Sequence, residues 1–258
     1  MAARLRLLAM QAPGTGHNGA VGRLLLFGDS LTYHGPSEAV PPTDPRLYAT
    51  VCAQRLGGWQ VDLVARPGWT ARDGWWALTK DPVVWGVHVP AADAVVLALG
   101  QMDQLPAAVP TWLRESMPYI RHGRTRRQVR QGYRWAAPRV IRGTGGRLPQ
   151  LPVVATSHYL SRMVEAIRHF RPDVPFVRLL PAPYDALIYP AQRHHAEAVA
   201  AARRWCDDQG VAAIDLDPIV GPHLAAGRNN PDGMHWGWQT HADVGAALAD
   251  ALGTAPAR

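Results

Sequence analysis

Five short apolar runs punctuate the chain, spaced too widely to be hairpins. They are GRLLLFG (22–28), WQVDLVA (59–65), ADAVVLALG (92–100), VPFVRLL (174–180) and VAAIDL (211–216). Most are near-continuous Val, Leu and Ile rather than alternating with polar residues, the pattern of strands buried on both faces. Helix-length stretches fall between them near 45–56, 70–79, 158–170 and 191–209, with a last one at 240–252 that Thr240 is placed to cap. Strands alternating with helices predict an α/β fold, a five-stranded parallel sheet covered on both faces. In such sheets ligands sit beyond the carboxyl ends of the strands, where the strand order reverses. The residues just after each apolar run are therefore the first place to look for chemistry.

One connection breaks the rhythm. About 57 residues separate the third run from the 158–170 helix, and residues 106–150 hold ten arginines against one acid, Glu115. A structureless loop of that length is unusual in a compact domain, so the segment predicts a helical insertion or lid. The chain carries a net charge of +7, yet this segment alone contributes +9 and the remainder −2. Only Lys80 among the 27 basic residues is lysine. The length of 258 residues suits a single domain over 21–258, preceded by a flexible leader at 1–20 whose apolar patch is too short for a signal-peptide core. No run approaches the roughly 20 apolar residues of a membrane span. Two cysteines, Cys52 and Cys206, make no disulfide framework, and a cytoplasmic location is the simplest expectation.

Four stretches border predicted strand ends: FGDSL with Ser30, ARPGWTARD with Gly68, LALGQMDQLP with Gly100 to Asp103, and NNPDGMHW with Asp232 and His235. Ser30 alone reads as a helix cap or as a nucleophile. A nucleophilic hydroxyl needs a base, and the imidazole base needs an acceptor to fix its tautomer. Asp232-Gly-Met-His235 supplies both within one turn, although Asp-x-x-His is common by chance and in isolation reads first as a turn with a surface histidine. A metal site is not indicated, since His194 and His195 are adjacent and no Cys/His ligand spacing occurs. Asp29 and Asp103 are placed to hold the turn around the nucleophile.

Taken in order, these four blocks resemble the SGNH (GDSL) hydrolase superfamily, over most of the chain outside the leader and the insert. The G-x-S-x-G pattern of the α/β-hydrolases is absent around Ser30. The resemblance implies a flavodoxin-like three-layer α/β/α fold, with Ser30 as nucleophile, His235 as general base and Asp232 as its orienter. It also implies an oxyanion hole from the backbone N–H groups of Ser30 and Gly68. The superfamily's third donor is an asparagine in Gly-x-Asn-Asp, and here that position is Met102, which cannot donate a hydrogen bond. Either activity is weak, or another donor substitutes, with Gln101 the nearest candidate, or the site is built for a task other than ordinary ester hydrolysis.

A narrower match runs through DSLTYHGP, DPRLY, GWTARDGWW, GQMDQLP and NPDGMHW. These stretches are similar to the diglucosylglycerate octanoyltransferases, insert included. That resemblance implies transfer of octanoyl from octanoyl-CoA, as co-substrate with no bound cofactor, to a sugar hydroxyl of a glycosylated glycerate, in methylglucose lipopolysaccharide biosynthesis. A thioester leaves readily, so an acyl-Ser30 could form with a two-armed oxyanion hole, and a lid would keep water from it. Substrate contacts are expected from Trp69, Met102 and Trp236 near the site, and from Arg126, Arg127 and Arg130 for coenzyme A phosphates. The same arginines read equally as a solvated basic face. Nucleic acid is not expected as a partner, because no binding motif accompanies the arginines or the aromatics Trp112, Tyr119, Tyr133 and Trp135. Two rivals stand beside the transferase: an esterase or thioesterase using water, and an inactive module that binds an anionic partner.

Overall fold

The computed structural model describes residues 21–253, so the leader expected at 1–20 lies outside the described residues. Five parallel strands form one sheet in the order β2-β1-β3-β4-β5. They are β1 Arg23–Gly28, β2 Gln60–Ala65, β3 Ala94–Ala98, β4 Phe176–Leu179 and β5 Ala212–Ile214. Each lies within its apolar run. The chain leaves β1 toward β2 on one side and later returns to place β3 on the other. The strand order therefore reverses at β1, and the crevice opens beyond its carboxyl end. Gly28 is in register with both Ala65 and Ala98, so the exits of these three strands lie side by side.

Alternation along β1 divides the core. Leu25 and Phe27 face a cluster built with α2 (Ala71–Lys80), α6 (Val153–Phe170) and α7 (His195–Gln209). Leu24 and Leu26 face the opposite cluster, built with α1 (Tyr48–Arg55), α8 (Asp217–Ala225) and α9 (Trp238–Gly253). This is the three-layer α/β/α architecture. The short α3 (Val89–Ala91) continues a π-helical turn at Val84–His88 and leads into β3. The periodicity missed α8, whose Pro218 and Pro222 look like breakers; Pro218 sits in the first turn, where it gives up no intrahelical hydrogen bond, and Pro222 lies inside the helix. Thr240 is also not the cap of the last helix. That helix begins at Trp238, and the buried Thr240 hydroxyl donates to Asn229 Oδ1 at 2.7 Å.

The insert is helical, with α4 (Thr111–Ser116), a 3₁₀ turn at Met117–Tyr119 and the 22-residue α5 (Gly123–Thr144). Its two ends meet: Ala107 N–H donates to Leu148 O at 2.6 Å, Gln150 N–H donates to Leu105 O at 2.9 Å, and Pro106 bridges to Pro149. Ala137 and Ile141 are the residues α5 buries, while Trp135 is 65% exposed.

Candidate active site

Ser30 is the first residue of a 3₁₀ turn, Ser30–Thr32, at the exit of β1. The residue that caps this turn is Asp29, whose Oδ1 accepts the Leu31 N–H at 2.9 Å. The Ser30 hydroxyl is thereby left for another partner. Tyr48 donates its hydroxyl to Thr32 Oγ1 at 3.3 Å and holds the turn from below. Asp29 is buried, and burial pushes its carboxyl up to about 7.

The partner arrives from the loop between α8 and α9. Asp232 N–H donates to Asn230 Oδ1 at 2.9 Å, and Asp232 Oδ1 accepts the N–H groups of Met234 at 2.8 Å and His235 at 3.0 Å. The turn needs Gly233. Its φ is +73°, and a Cβ there would lie 1.8 Å from Asp185 O. The Gly233 carbonyl accepts the Asp185 N–H at 2.8 Å, which ties the loop to the segment after β4.

So held, His235 Nδ1–H donates to Asp232 Oδ2 at 2.5 Å, and its Nε2 accepts the Ser30 hydroxyl at 3.0 Å. The hydrogen bond to Asp232 selects the tautomer with a bare Nε2. Burial, with His34 alongside, lowers the His235 pKa against the opposing pull of Asp232, so the ring is a neutral base at neutral pH. Burial raises the Asp232 carboxyl, but hydrogen bonds from the His235 side chain and from two backbone N–H groups bring it below the usual range. This chain can draw a proton from Ser30 and return it to a leaving group.

Two further histidines support the ring. His34 stacks on His235 with centroids 3.7 Å apart and planes 21° apart. Its carbonyl accepts from His241 Nε2 at 3.0 Å, while His241 Nδ1 accepts the Tyr48 N–H at 3.3 Å. Burial pushes His241 down to about 4, which keeps it neutral in this role. The spacing of His34 and His241 carried no signal of these contacts, because each joins the site through the fold alone.

The other predicted residues divide. Ser30 begins a helical turn, so its N–H has no intrahelical acceptor. Gly68 lies three residues beyond Ala65, with φ +74° and open space where a side chain would be. Gln101 lines the same cleft as Ser30, with its amide anchored on the far side. Its Nε2 donates to Leu180 O at 2.9 Å and its Oε1 accepts the Ala182 N–H at 2.5 Å, so it fastens β3's exit to β4's. Met102 is buried with Leu105 and Tyr184 and, with Met234, lines a narrow apolar cleft that reaches Ser30. Trp236, beside His235 in sequence, is 1% exposed and packs into the core against Tyr48, so it is not a cleft residue. Trp69 lines a separate surface groove with Leu63 and Trp76. Arg126, Arg127 and Arg130 sit on the first turns of α5, and none lines the cleft. Asp103 accepts the Ala71 N–H at 3.1 Å and the Thr156 hydroxyl at 2.7 Å, as a brace between β3, α2 and α6.

The fold and this hydrogen-bonded chain agree with the comparisons. Residues 26–242 match the GDSL-like Lipase/Acylhydrolase family, and the chain belongs to it. Among solved structures, the lipase/acylhydrolase from Enterococcus faecalis superposes with a TM-score of 0.60 at 17% identity, over 90% of this chain and 95% of that one. A carbohydrate acetylesterase family member from Sinorhizobium meliloti gives 0.56 at 17% identity, over 90% of this chain and 97% of that one. Within the family, the chain is 41% identical over 233 residues to the diglucosylglycerate octanoyltransferase of Mycolicibacterium hassiacum, covering 90% of this chain and 95% of that protein. It is 39% identical to the diglucosylglycerate octanoyltransferase of Mycobacterium tuberculosis, covering 90% and 92%.

Proposed function

We propose that the protein is a serine acyltransferase that moves an octanoyl group from octanoyl-CoA to a sugar hydroxyl of diglucosylglycerate through an acyl-Ser30 intermediate. The observation that carries this reading is the hydrogen-bonded chain Ser30–His235–Asp232 in a protein 41% identical to a named octanoyltransferase. In the first half-reaction, the Ser30 proton passes to His235 Nε2 as Oγ attacks the thioester carbonyl. The C–S bond then breaks and the proton leaves with the coenzyme A sulfur. In the second, His235 takes the proton of the sugar hydroxyl, whose oxygen displaces Ser30 from the acyl carbon, and Ser30 recovers a proton. The N–H groups of Ser30 and Gly68 would carry the charge that develops on the carbonyl oxygen.

Met102 fits this task. It removes a polar donor beside Ser30 and joins Leu105, Tyr184 and Met234 in an apolar wall suited to an alkyl chain. Loss of one oxyanion donor costs about 10²–10³ in kcat where it has been removed from a hydrolase. A thioester tolerates that loss better than an oxygen ester or amide, because thiolate is the better leaving group.

The test follows coenzyme A release from octanoyl-CoA with and without diglucosylglycerate. Release should depend on the sugar, and octanoyl should end as an ester on it. Equal release in both, with free octanoate as product, would make the protein a thioesterase. No labelling of Ser30 by a fluorophosphonate would return it to the inactive anion-binding alternative.

A further inference from the structure

A second cavity, of about 240 Å³, adjoins the Ser30 cleft, and Gln104 lines both. It sits at the carboxyl ends of β3 and β4, between the N-terminal turns of α6 and α7, and none of the triad lines it. Val153 and Val154 of α6 and Glu197 and Ala198 of α7 form its sides. The first N–H groups of each helix lack intrahelical acceptors, and neither helix has a side-chain cap. Both helices thus direct partial positive charge toward the space between them.

A buried cation stands at the bottom. Arg178 belongs to β4, is 2% exposed, and lines this cavity. Its Nε and Nη1 have no protein partner. One face of the guanidinium lies over the Trp205 ring, 4.8 Å from the centroid, and its Nη2 reaches the exit of β3 beside Gly100. Inside a sheet-helix interface such an arginine is costly unless an anion compensates it. The groups that act on it most are the Cys206 thiol, which burial holds toward its neutral form, and Asp103, whose oxygens accept the Ala71 N–H and the Thr156 hydroxyl. Glu197, exposed at the rim, is the other carboxylate on the lining. Two acids and one arginine on the lining disfavour a dianion and suit a ligand of single negative charge.

We propose that this cavity is the subsite for the carboxylate of the acyl acceptor, with Arg178 as its cation. The assignment rests on the acyltransferase reading, in which the acceptor is a glycoside of glycerate. The carboxylate end enters between α6 and α7, and the sugars extend past Gln104 toward Ser30. This accounts for a charged acceptor reaching an otherwise apolar cleft.

The test has two arms. In the first, Ser30→Ala protein is titrated calorimetrically with D-glycerate, glycerol and inorganic phosphate. D-glycerate alone should bind, and binding should disappear in Arg178→Met. Because Arg178 is buried, Ala198→Leu is the second variant: it fills the cavity from α7, leaves the guanidinium in place, and should also abolish binding. In the second arm, acyl transfer to diglucosylglycerate is compared with transfer to diglucosylglycerol, which lacks the carboxylate. Loss of a charge-assisted hydrogen bond predicts about a 10- to 100-fold lower kcat/KM for the neutral acceptor, and both variants should erase the difference. Equal efficiency with both acceptors, D-glycerate binding that survives both variants, or binding of phosphate in its place would overturn the assignment. Phosphate binding would point to coenzyme A as the occupant. Glycerate binding that depends on Arg178, with no acyl transfer to any acceptor, would sustain the site and refute the acyltransferase reading.

Discussion

The edge of the sheet at Ser30 and the arginine-rich insert handle polar groups in opposite ways. Around Ser30, each group is fixed by another: Asp29 caps the turn, Asp232 sets the tautomer of His235, and His34 and His241 support the ring. Along α5, long cationic side chains stand on an exposed surface with one acid, Glu115, in the whole segment. The first region derives its properties from distances of 2.5 to 3.0 Å, so a small displacement matters. The second derives them from summed charge, which is insensitive to where any one arginine points but sensitive to salt. The molecule keeps its tightly fixed polar groups and its exposed positive charge on different kinds of structure.

The sharpest way to break that contrast is at the edge. Ser30→Ala should lower acyl transfer by at least about 10³-fold with little change in melting temperature, and Asp232→Asn by about 10²–10⁴-fold, measured as initial rates. Trp236→Ala should cost about 3–5 kcal/mol of stability in urea unfolding, because that ring is core beneath the site rather than a substrate contact. If activity were lost with stability unchanged, Trp236 would belong to the cleft after all. Next comes Asp29. Its folded pKa is raised, so the stability it contributes is complete below its unfolded value of about 3.9 and is lost as pH rises through about 7. Asp29→Asn keeps an acceptor for Leu31 N–H and should therefore stabilise the protein above neutral pH by roughly 1–4 kcal/mol, with no gain near pH 4.

The insert should respond differently. Arg127→Glu with Arg130→Glu should lower kcat/KM for octanoyl-CoA about 3- to 10-fold at low ionic strength, and the deficit should vanish near 1 M salt, where screening extends only about 3 Å. A deficit that persists at high salt would mean direct contact. The smallest effect concerns His235. Its pKa is lowered, so the acid limb of kcat/KM should fall below the ordinary imidazole value of about 6.5. His34→Phe preserves the stacked ring but removes a neighbour that holds this pKa down, and the limb should move upward by a fraction of a unit in the pH–rate profile.

Much of this was legible in the sequence for a definite reason. Near-continuous Val/Leu runs specify strands buried on both faces, and all five appear within their expected limits. Ser30, Asp232 and His235 were ambiguous one by one and could be read only because four blocks at strand ends, taken in order, resemble one superfamily. What escaped was whatever depends on which way a side chain points in three dimensions. Trp236 adjoins His235 in sequence and turns into the opposite core, and Trp69 adjoins Gly68 and faces another groove. His34 gave no pattern at all, since its partner is 201 residues away in the chain and meets it only once the sheet edge is assembled. Arg178 was hidden inside a strand run, where one charged residue among apolar ones reads as an interruption rather than as a ligand.

The pinch between Pro106 and Pro149 makes the intervening 42 residues a cassette. Its two ends lie next to each other, so the loop of chain they close could lengthen, shorten or be exchanged at a small entropic penalty, and the strands on either side would stay in place. A lineage with this scaffold can therefore remodel the insert while inheriting the sheet edge at Ser30 unchanged. The same join marks where an engineer would cut.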